Sequence, residues 1–176
     1  MEIMKKNKSK TKGFTLIELL VALGVFMVVM TMTLSAFLNI IDIQKKTEAF
    51  RKVNDNLNFA MEAMMREIRE GKDYCPFGCA GGTFSFINKD GLSVNYQLNV
   101  GHIERQVPSK SANWLMLTSD EIVITNLSFS VKGNVANDKQ QPLVTIAIGG
   151  ESGLNQKLKS KLNLQATVSQ RKLDPL

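Results

Sequence analysis

The fold is decided by a stretch near the N-terminus that reads Lys12-Gly13-Phe14-Thr15-Leu16-Ile17-Glu18-Leu19-Leu20-Val21. It opens an apolar run of 28 residues, Phe14 to Ile41, in which Glu18 is the only ionisable side chain. A helix needs about 20 predominantly apolar residues to cross the hydrocarbon core of a bilayer. The run therefore predicts a membrane-spanning helix over residues 14–41.

The charge of the chain is concentrated beside this run. Of the formal net charge of +6, residues 1–13 carry +4, which leaves +2 for residues 14–176. Lysines beside a span are retained on the cytoplasmic side, so the pattern predicts a single-pass membrane protein with an extracytoplasmic C-terminal part from Asp42 onward. Because the basicity belongs to this tail, we predict no nucleic-acid partner. The tail holds Glu2, Lys5, Lys6, Lys8, Lys10 and Lys12.

The run does not have the plan of a secretory signal peptide. Such a signal has about 7–15 apolar residues followed by a cleavage site of the Ala-x-Ala kind. This run is longer, and Asp42-Ile43-Gln44-Lys45-Lys46 follows it instead. The small residue, Gly13, precedes the apolar segment. We therefore expect residues 14–41 to remain in the mature protein.

Glu18 has two readings. A carboxylate inside a span costs a few kcal/mol, so the side chain either reaches back to the interface or finds a cation. A cut after Gly13 would create a cation, the amine of Phe14. Glu18 would then lie in the first helical turn, where the helix dipole favours negative charge.

The residues from Lys12 to Val21 resemble the N-terminal motif of type IV prepilins and type II secretion pseudopilins, and the resemblance extends to about Met30. It implies that a membrane aspartyl prepilin peptidase cuts between Gly13 and Phe14 and N-methylates Phe14. It also implies an assembly charge pair between Glu18 and the Phe14 amine of a neighbouring subunit. The implied partners are other pilins or pseudopilins, the prepilin peptidase, an inner-membrane assembly platform and the lipid bilayer.

By this resemblance the chain is a structural subunit of a type IV pilus or of a type II secretion-like filament, and it ends in an extracellular or periplasmic filament at the cell surface. A minor pilin or pseudopilin is favoured, because the C-terminal half lacks a cysteine pair and residues 14–41 lack proline. The run Phe50–Arg69, followed by a sheet ending at Thr167–Arg171, resembles J-type minor pseudopilins. The alternative is a single-pass, membrane-anchored extracytoplasmic binding domain with an uncleaved anchor.

The helical pattern continues beyond the membrane segment. Apolar residues recur at spacings of three and four, which predicts one buried face, and Gly71 supplies a stop. We therefore predict one helix from Phe14 to about Glu70, with i,i+4 pairs Glu48–Lys52 and Glu62–Arg66 on its polar side. The predicted apolar face holds Phe50, Val53, Leu57, Met61, Met64 and Ile68.

After Gly71 the apolar period changes to two, which is typical of strands. Asn88-Lys89-Asp90-Gly91 predicts a hairpin turn, and a change of phase near Thr125-Asn126 predicts a bulge. We predict an α+β fold, with the long N-terminal helix packed against a single antiparallel β-sheet head, as in pilins. The predicted divisions are a leader (1–13), the membrane or filament-core half of the helix (14–41), its extracytoplasmic half (42–71) and the head (72–176).

Other candidate groups point away from catalysis. Cys75 and Cys79 predict either a small disulfide loop or free thiols, since two thiolates do not complete a structural zinc site. His102, the one histidine, is read as an exposed strand residue. The methionines Met61, Met64 and Met65 are read as core. We predict no enzyme, no catalytic residue, no metal and no cofactor.

Overall fold

The computed structural model describes residues 13–75, 83–134, 140–153 and 155–171. These residues form one α-helix and seven β-strands, and the strands make two antiparallel sheets. The predicted α+β class, a long N-terminal helix with an antiparallel head, is confirmed. The chain divides into two compact units between Ile43 and Gln44, and the helix contributes residues to both.

Helix α1 spans Leu16–Glu70, which is 55 residues. It begins two residues later than Phe14 because Thr15 caps it. The backbone N–H of Glu18 donates to Thr15 Oγ1 at 3.3 Å, and the N–H of Leu19 donates to the Thr15 carbonyl at 3.2 Å. The predicted end near Glu70 is confirmed.

The C-terminal end of α1 is held by groups from elsewhere in the head. The hydroxyl of buried Tyr74 donates to the carbonyl oxygens of Ile68 at 2.7 Å and of Gly71 at 2.9 Å. The backbone N–H of Arg171 donates to the carbonyl of Arg69 at 2.8 Å. Carbonyls that have no partner inside the helix are thereby satisfied.

The buried face of α1 follows the predicted spacing except at its start. Phe50 is 45% exposed, so its predicted place in the core is wrong, and Ala49 is buried instead. Each residue of a helix turns by about 100°, so the side chain one position away points to a different side. The buried residues are Ala49, Val53, Leu57, Ala60, Met61, Met64 and Ile68.

The first sheet, sheet A, has the strand order β1-β2-β3-β4. Its strands are β1 (Thr83–Ile87), β2 (Ser93–Asn99), β3 (His102–Gln106) and β4 (Leu115–Met116). The predicted turn between β1 and β2 is confirmed. Asn88 Oδ1 accepts the backbone N–H groups of Asp90 at 3.0 Å and Leu92 at 2.9 Å.

The second sheet, sheet B, has the order β5-β6-β7. Its strands are β5 (Val123–Lys132), β6 (Leu143–Ser152) and β7 (Ser160–Ser169). The register between β5 and β6 shifts between Ile124 and Asn126, so the predicted bulge is confirmed. The prediction of a single sheet is wrong, because alternation shows which side chains of a strand are buried and not which strands pair.

The inner faces of both sheets share one core with α1. Phe84 of sheet A stacks on Phe129 of sheet B with their ring centroids 4.3 Å apart. A backbone hydrogen bond also joins the sheets, from the N–H of Ile124 to the carbonyl of Gly101 at 2.8 Å. The C-terminal half of α1 and the two sheets therefore form one hydrophobic unit.

A polar cluster fastens α1 to sheet A. Arg105 on β3 donates to Glu67 on α1 twice, from Nε to Oε2 at 2.9 Å and from Nη2 to Oε1 at 2.6 Å. Tyr96 on β2 donates its hydroxyl to the same carboxylate. Burial raises the pKa of Glu67, but the hydrogen bonds from Arg105 and Tyr96 outweigh it, so the pKa lies below its ordinary value. Glu67 is therefore a paired carboxylate that stays ionised near neutral pH.

Gly71 fits a space too small for a side chain. A Cβ there would lie 2.4 Å from Cδ2 of Phe86, a fully buried ring. We expect Gly71→Ala to lower the free energy of unfolding by about 1–3 kcal/mol, because the ring must move. Chemical denaturation of the full chain in detergent would measure this change. Gly91→Asn is the control, since that glycine has positive φ and open space around it; an equal loss in both variants would contradict the steric account.

The Glu67–Arg105 pair predicts a dependence of stability on pH. A carboxyl whose folded pKa is lowered stabilises the fold above its unfolded value, near 4.5, and this contribution is lost as the pH falls below it. Arg105→Met should cost about 1–3 kcal/mol at pH 7, because Glu67 loses two hydrogen bonds, with the difference from wild type shrinking below about pH 4.5. Lys89→Met is the control, because its pair with Glu70 is long, at 3.5 Å, and exposed. A pH-independent loss in Arg105→Met would contradict the charge account.

Candidate functional site

The predicted cleavage site lies just ahead of α1. Gly13, Phe14 and Thr15 are outside the helix, and Phe14 is 83% exposed. A side chain at Gly13 would meet nothing within 4 Å. Exposed, non-helical chain ends are where proteases cut most readily.

Thr15 and Glu18 form the sequence of a capping box, Thr-x-x-Glu, with Thr15 as the N-cap and Glu18 at the third helical position. Sequence reasoning missed this role, although the spacing was there to be read. Glu18 lies in the first turn of the helix, as predicted. Within the described residues its carboxylate has no ion-pair partner, and the helix dipole favours a negative charge in this first turn.

The helix that follows is apolar on every side. Residues 13–40 are all exposed, and their most apolar window has a mean hydropathy of 2.3. By length and composition this helix could cross a membrane. A helix that is apolar all round is stable when lipid or other protein surrounds it.

Comparison with known families identifies this segment. Residues 8–34 match the prokaryotic N-terminal methylation motif, which is characteristic of the type IV prepilin and pseudopilin family. The resemblance seen over Lys12 to Met30 is confirmed. The motif supports a pilin-like or pseudopilin-like substrate of prepilin peptidase, and together with the long apolar helix it suggests membrane anchoring with a C-terminal domain.

The family model covers the N-terminal segment alone. The chain matches no curated protein and no solved structure. The motif belongs to structural subunits that assemble with other pilins. What the head contributes must be argued from its own residues.

The structure describes one of the two cysteines for which a disulfide was predicted. Cys75 is disulfide-bonded, with a positive φ of 48°. Cys79 lies outside the described residues. The Cys75–Cys79 pairing therefore stays a prediction.

His102 is placed differently from its prediction. Its side chain is 18% exposed, its Nε2 lies 3.9 Å from Asp120 Oδ1, and its buried Nδ1 has no hydrogen-bond partner among the described residues. His102 lies at the start of β3, opposite Asn99 of β2, and Asp120 approaches it from the segment that follows β4. No group of three or more His, Cys, Asp or Glu side chains suited to a metal occurs in the described part of the chain.

The buried carboxylate of Glu104 has a structural role in the head. Glu104 on β3 accepts the amide of Gln97 at 2.7 Å and the amide of Asn99 at 3.2 Å. Burial and the neighbouring Glu67 carboxylate raise the pKa of Tyr96, so its hydroxyl remains a donor. Glu104 and Glu67 thus each accept hydrogen bonds from side chains on β2 or β3. These carboxylates stabilise the packing of neighbouring elements.

The Thr15 cap can be tested apart from assembly. Thr15→Ala should destabilise the first turn by about 1 kcal/mol, which would speed amide hydrogen exchange at Glu18 and Leu19, whose N–H groups donate to Thr15, about fivefold in detergent micelles. Thr31→Ala is the matched control, because that hydroxyl donates to the Val28 carbonyl within the helix at 2.8 Å. Equal exchange at Glu18 and Leu19 in wild type and Thr15→Ala would show that Thr15 is not the cap.

Proposed function

We propose that this chain is a minor pilin or pseudopilin, a structural subunit of a type IV pilus or type II secretion-like filament. The supporting observations are the methylation motif over residues 8–34 and the exposure of residues 13–40, most of which belong to helix α1. In this proposal prepilin peptidase cuts between Gly13 and Phe14 and methylates the new Phe14 amine.

The proposed topology follows from the same segment. Residues 1–13 are a cytoplasmic leader, of which residues 1–12 lie outside the described part of the chain. Residues 14–41 lie in the bilayer, and residues 42–71 and 72–176 lie on its far side. On assembly the apolar segment leaves lipid for the packed helices of a filament. Lipid tails and packed apolar helices are equally dry, so this transfer needs no change in the segment itself.

In this proposal Glu18 determines the axial stagger of neighbouring subunits in the filament. A carboxylate in a dry core is costly unless a cation is close. The Phe14 amine of a neighbouring subunit is such a cation, and only one stagger of two helices brings the groups together. When the two helices have the correct stagger, the Glu18 carboxylate and the Phe14 amine form a neutral pair. Any other stagger leaves both charges unpaired.

The second candidate is a membrane-anchored extracytoplasmic binding domain. It would retain residues 1–13, and its anchor would gain nothing from a carboxylate at position 18. Processing and the behaviour of Glu18 therefore separate the two candidates.

The proposed processing site predicts the N-terminus of the mature protein. Mass spectrometry should find Phe14 first, with one added methyl group on its amine. Gly13→Leu should block the cut, because a bulky residue replaces the small one next to the scissile bond. Gly24→Leu is the control, since a side chain there also meets nothing within 4 Å. A wild-type protein that still begins at Met1 beside an active prepilin peptidase would contradict the proposal.

The proposed charge pair predicts how position 18 responds to substitution. Glu18→Ala and Glu18→Gln should both be cut and inserted, yet both should be lost from filaments sheared from cells. Glutamine can replace glutamate in a capping box, so Glu18→Gln removes the charge while keeping the cap. Thr15→Ala does the reverse and should assemble better than either variant. Filament entry of Glu18→Ala at the wild-type level would refute the pairing mechanism.

A further inference from the structure

The charge of the proposed mature chain is divided unevenly. Residues 44–52 and 151–161 carry seven basic and two acidic side chains, a net charge of +5. The proposed mature chain, residues 14–176, carries only +2, so its other residues sum to −3. The two segments thus concentrate the positive charge.

The structure brings these two segments together. Ser160 Oγ donates to the backbone carbonyl of Lys46 at 3.0 Å. Both segments also line one cavity of about 410 Å³, with Lys45 and Lys52 on one side and Ser152 and Leu158 on the other. We call this region the basic end. Its basic residues are Lys45, Lys46, Arg51, Lys52, Lys157, Lys159 and Lys161.

Carboxylates neutralise only part of the basic end. Lys52 pairs with Glu48 at 3.2 Å and with Glu121 at 3.0 Å. Glu151 is shared by two lysines, Lys159 at 2.6 Å and Lys161 at 3.2 Å. The carboxylates that line the cavity, Glu48 and Glu121, are therefore already occupied by Lys52.

Lys45 and Lys46 differ from the other lysines. Both are exposed, and neither side chain forms an ion pair within the described residues. They follow Ile41 by four and five residues on α1, which is about 6–8 Å of helix rise. The headgroup layer on each side of a bilayer is about 5–7 Å thick. If Ile41 ends the span, both lysines reach the depth of the lipid phosphates.

Lysines at this place oppose the charge bias that orients a span. Orientation follows the excess of Lys and Arg on the cytoplasmic side. The five lysines of residues 1–13 must therefore outweigh Lys45 and Lys46. A pair of lysines at the unfavourable end of the span calls for a compensating role on that side.

We infer that the basic end binds the headgroups of anionic phospholipids in the outer leaflet while the subunit waits in the bilayer. In this inference Lys45 and Lys46 contact the lipid phosphates. Each lysine near an anionic surface contributes about a fivefold gain in binding. The inference rests on the proposed anchoring of residues 14–41, and it adds a lipid class as the partner of the head.

The test uses the full chain in lipid nanodiscs and measures how fast each lysine is acylated, peptide by peptide, by mass spectrometry. Lys45 and Lys46 should react about fivefold more slowly in discs containing phosphatidylglycerol than in phosphatidylcholine discs. Lys89 and Lys110 are exposed lysines elsewhere in the head, and they should react equally in both. Since each lysine is read separately, the lysines of residues 1–13 do not disturb the comparison.

Three results would overturn the inference. Equal rates at Lys45 and Lys46 in both kinds of disc would exclude headgroup binding. Protection in phosphatidylcholine discs on adding millimolar inorganic phosphate would show a site for free phosphate instead. Protection that requires added filament subunits would assign the basic end to an acidic protein surface. Failure of the chain to elute with either disc would refute the anchoring itself, which separates that failure from the other three.

Discussion

Residues 16–40 of the helix are apolar on every side and exposed in the described chain, so lipid or other subunits must bury them. Most side chains of this segment are apolar and gain nothing from contact with water, and Glu18 carries its one charge. In the proposed function, a single apolar surface that suits both lipid and packed helices lets the chain exist in the bilayer and in a filament. The head must then fold and remain attached in both surroundings.

The helix changes character where the head begins. Residues 16–40 of the helix are exposed all round, whereas from Ala49 onward only one face is buried, and that face packs against both sheets. Hydrogen bonds then stabilise this half of the helix. Arg105 and Tyr96 donate to the carboxylate of Glu67, and the hydroxyl of Tyr74 donates to a carbonyl at the end of the helix. The core and these bonds belong to the second unit alone. The head can therefore keep its structure while the surroundings of residues 16–40 change.

The elements that follow from periodicity could be predicted. The helix end at Glu70, the turn at Asn88 and the bulge beside Ile124 all rest on local patterns that few residues determine. The division into two sheets could not, because a strand's alternation carries no information about its partner. The partial burial of His102 was also missed, because Asp120, which approaches its ring, lies in a different segment of the chain.

At the candidate site, too, local features could be predicted from the sequence and contacts between distant segments could not. The family motif and the position of Glu18 were readable from Lys12 to Val21, and the Thr15 cap was readable but overlooked. The convergence of residues 44–52 with residues 151–161 was not readable, because about a hundred residues separate the two segments. Contacts between distant segments need the tertiary structure, and in this chain they gather the positive charge at one end.

The central claim is that Glu18 pairs with the N-terminal amine of another subunit. Zero-length carbodiimide cross-linking of sheared filaments, assembled from isotopically light and heavy subunits, tests it most directly. The account predicts a cross-linked peptide that joins Glu18 of one subunit to the N-terminal amine of a second. Filaments that yield other cross-links between subunits, but join Glu18 to no neighbouring amine, would contradict it.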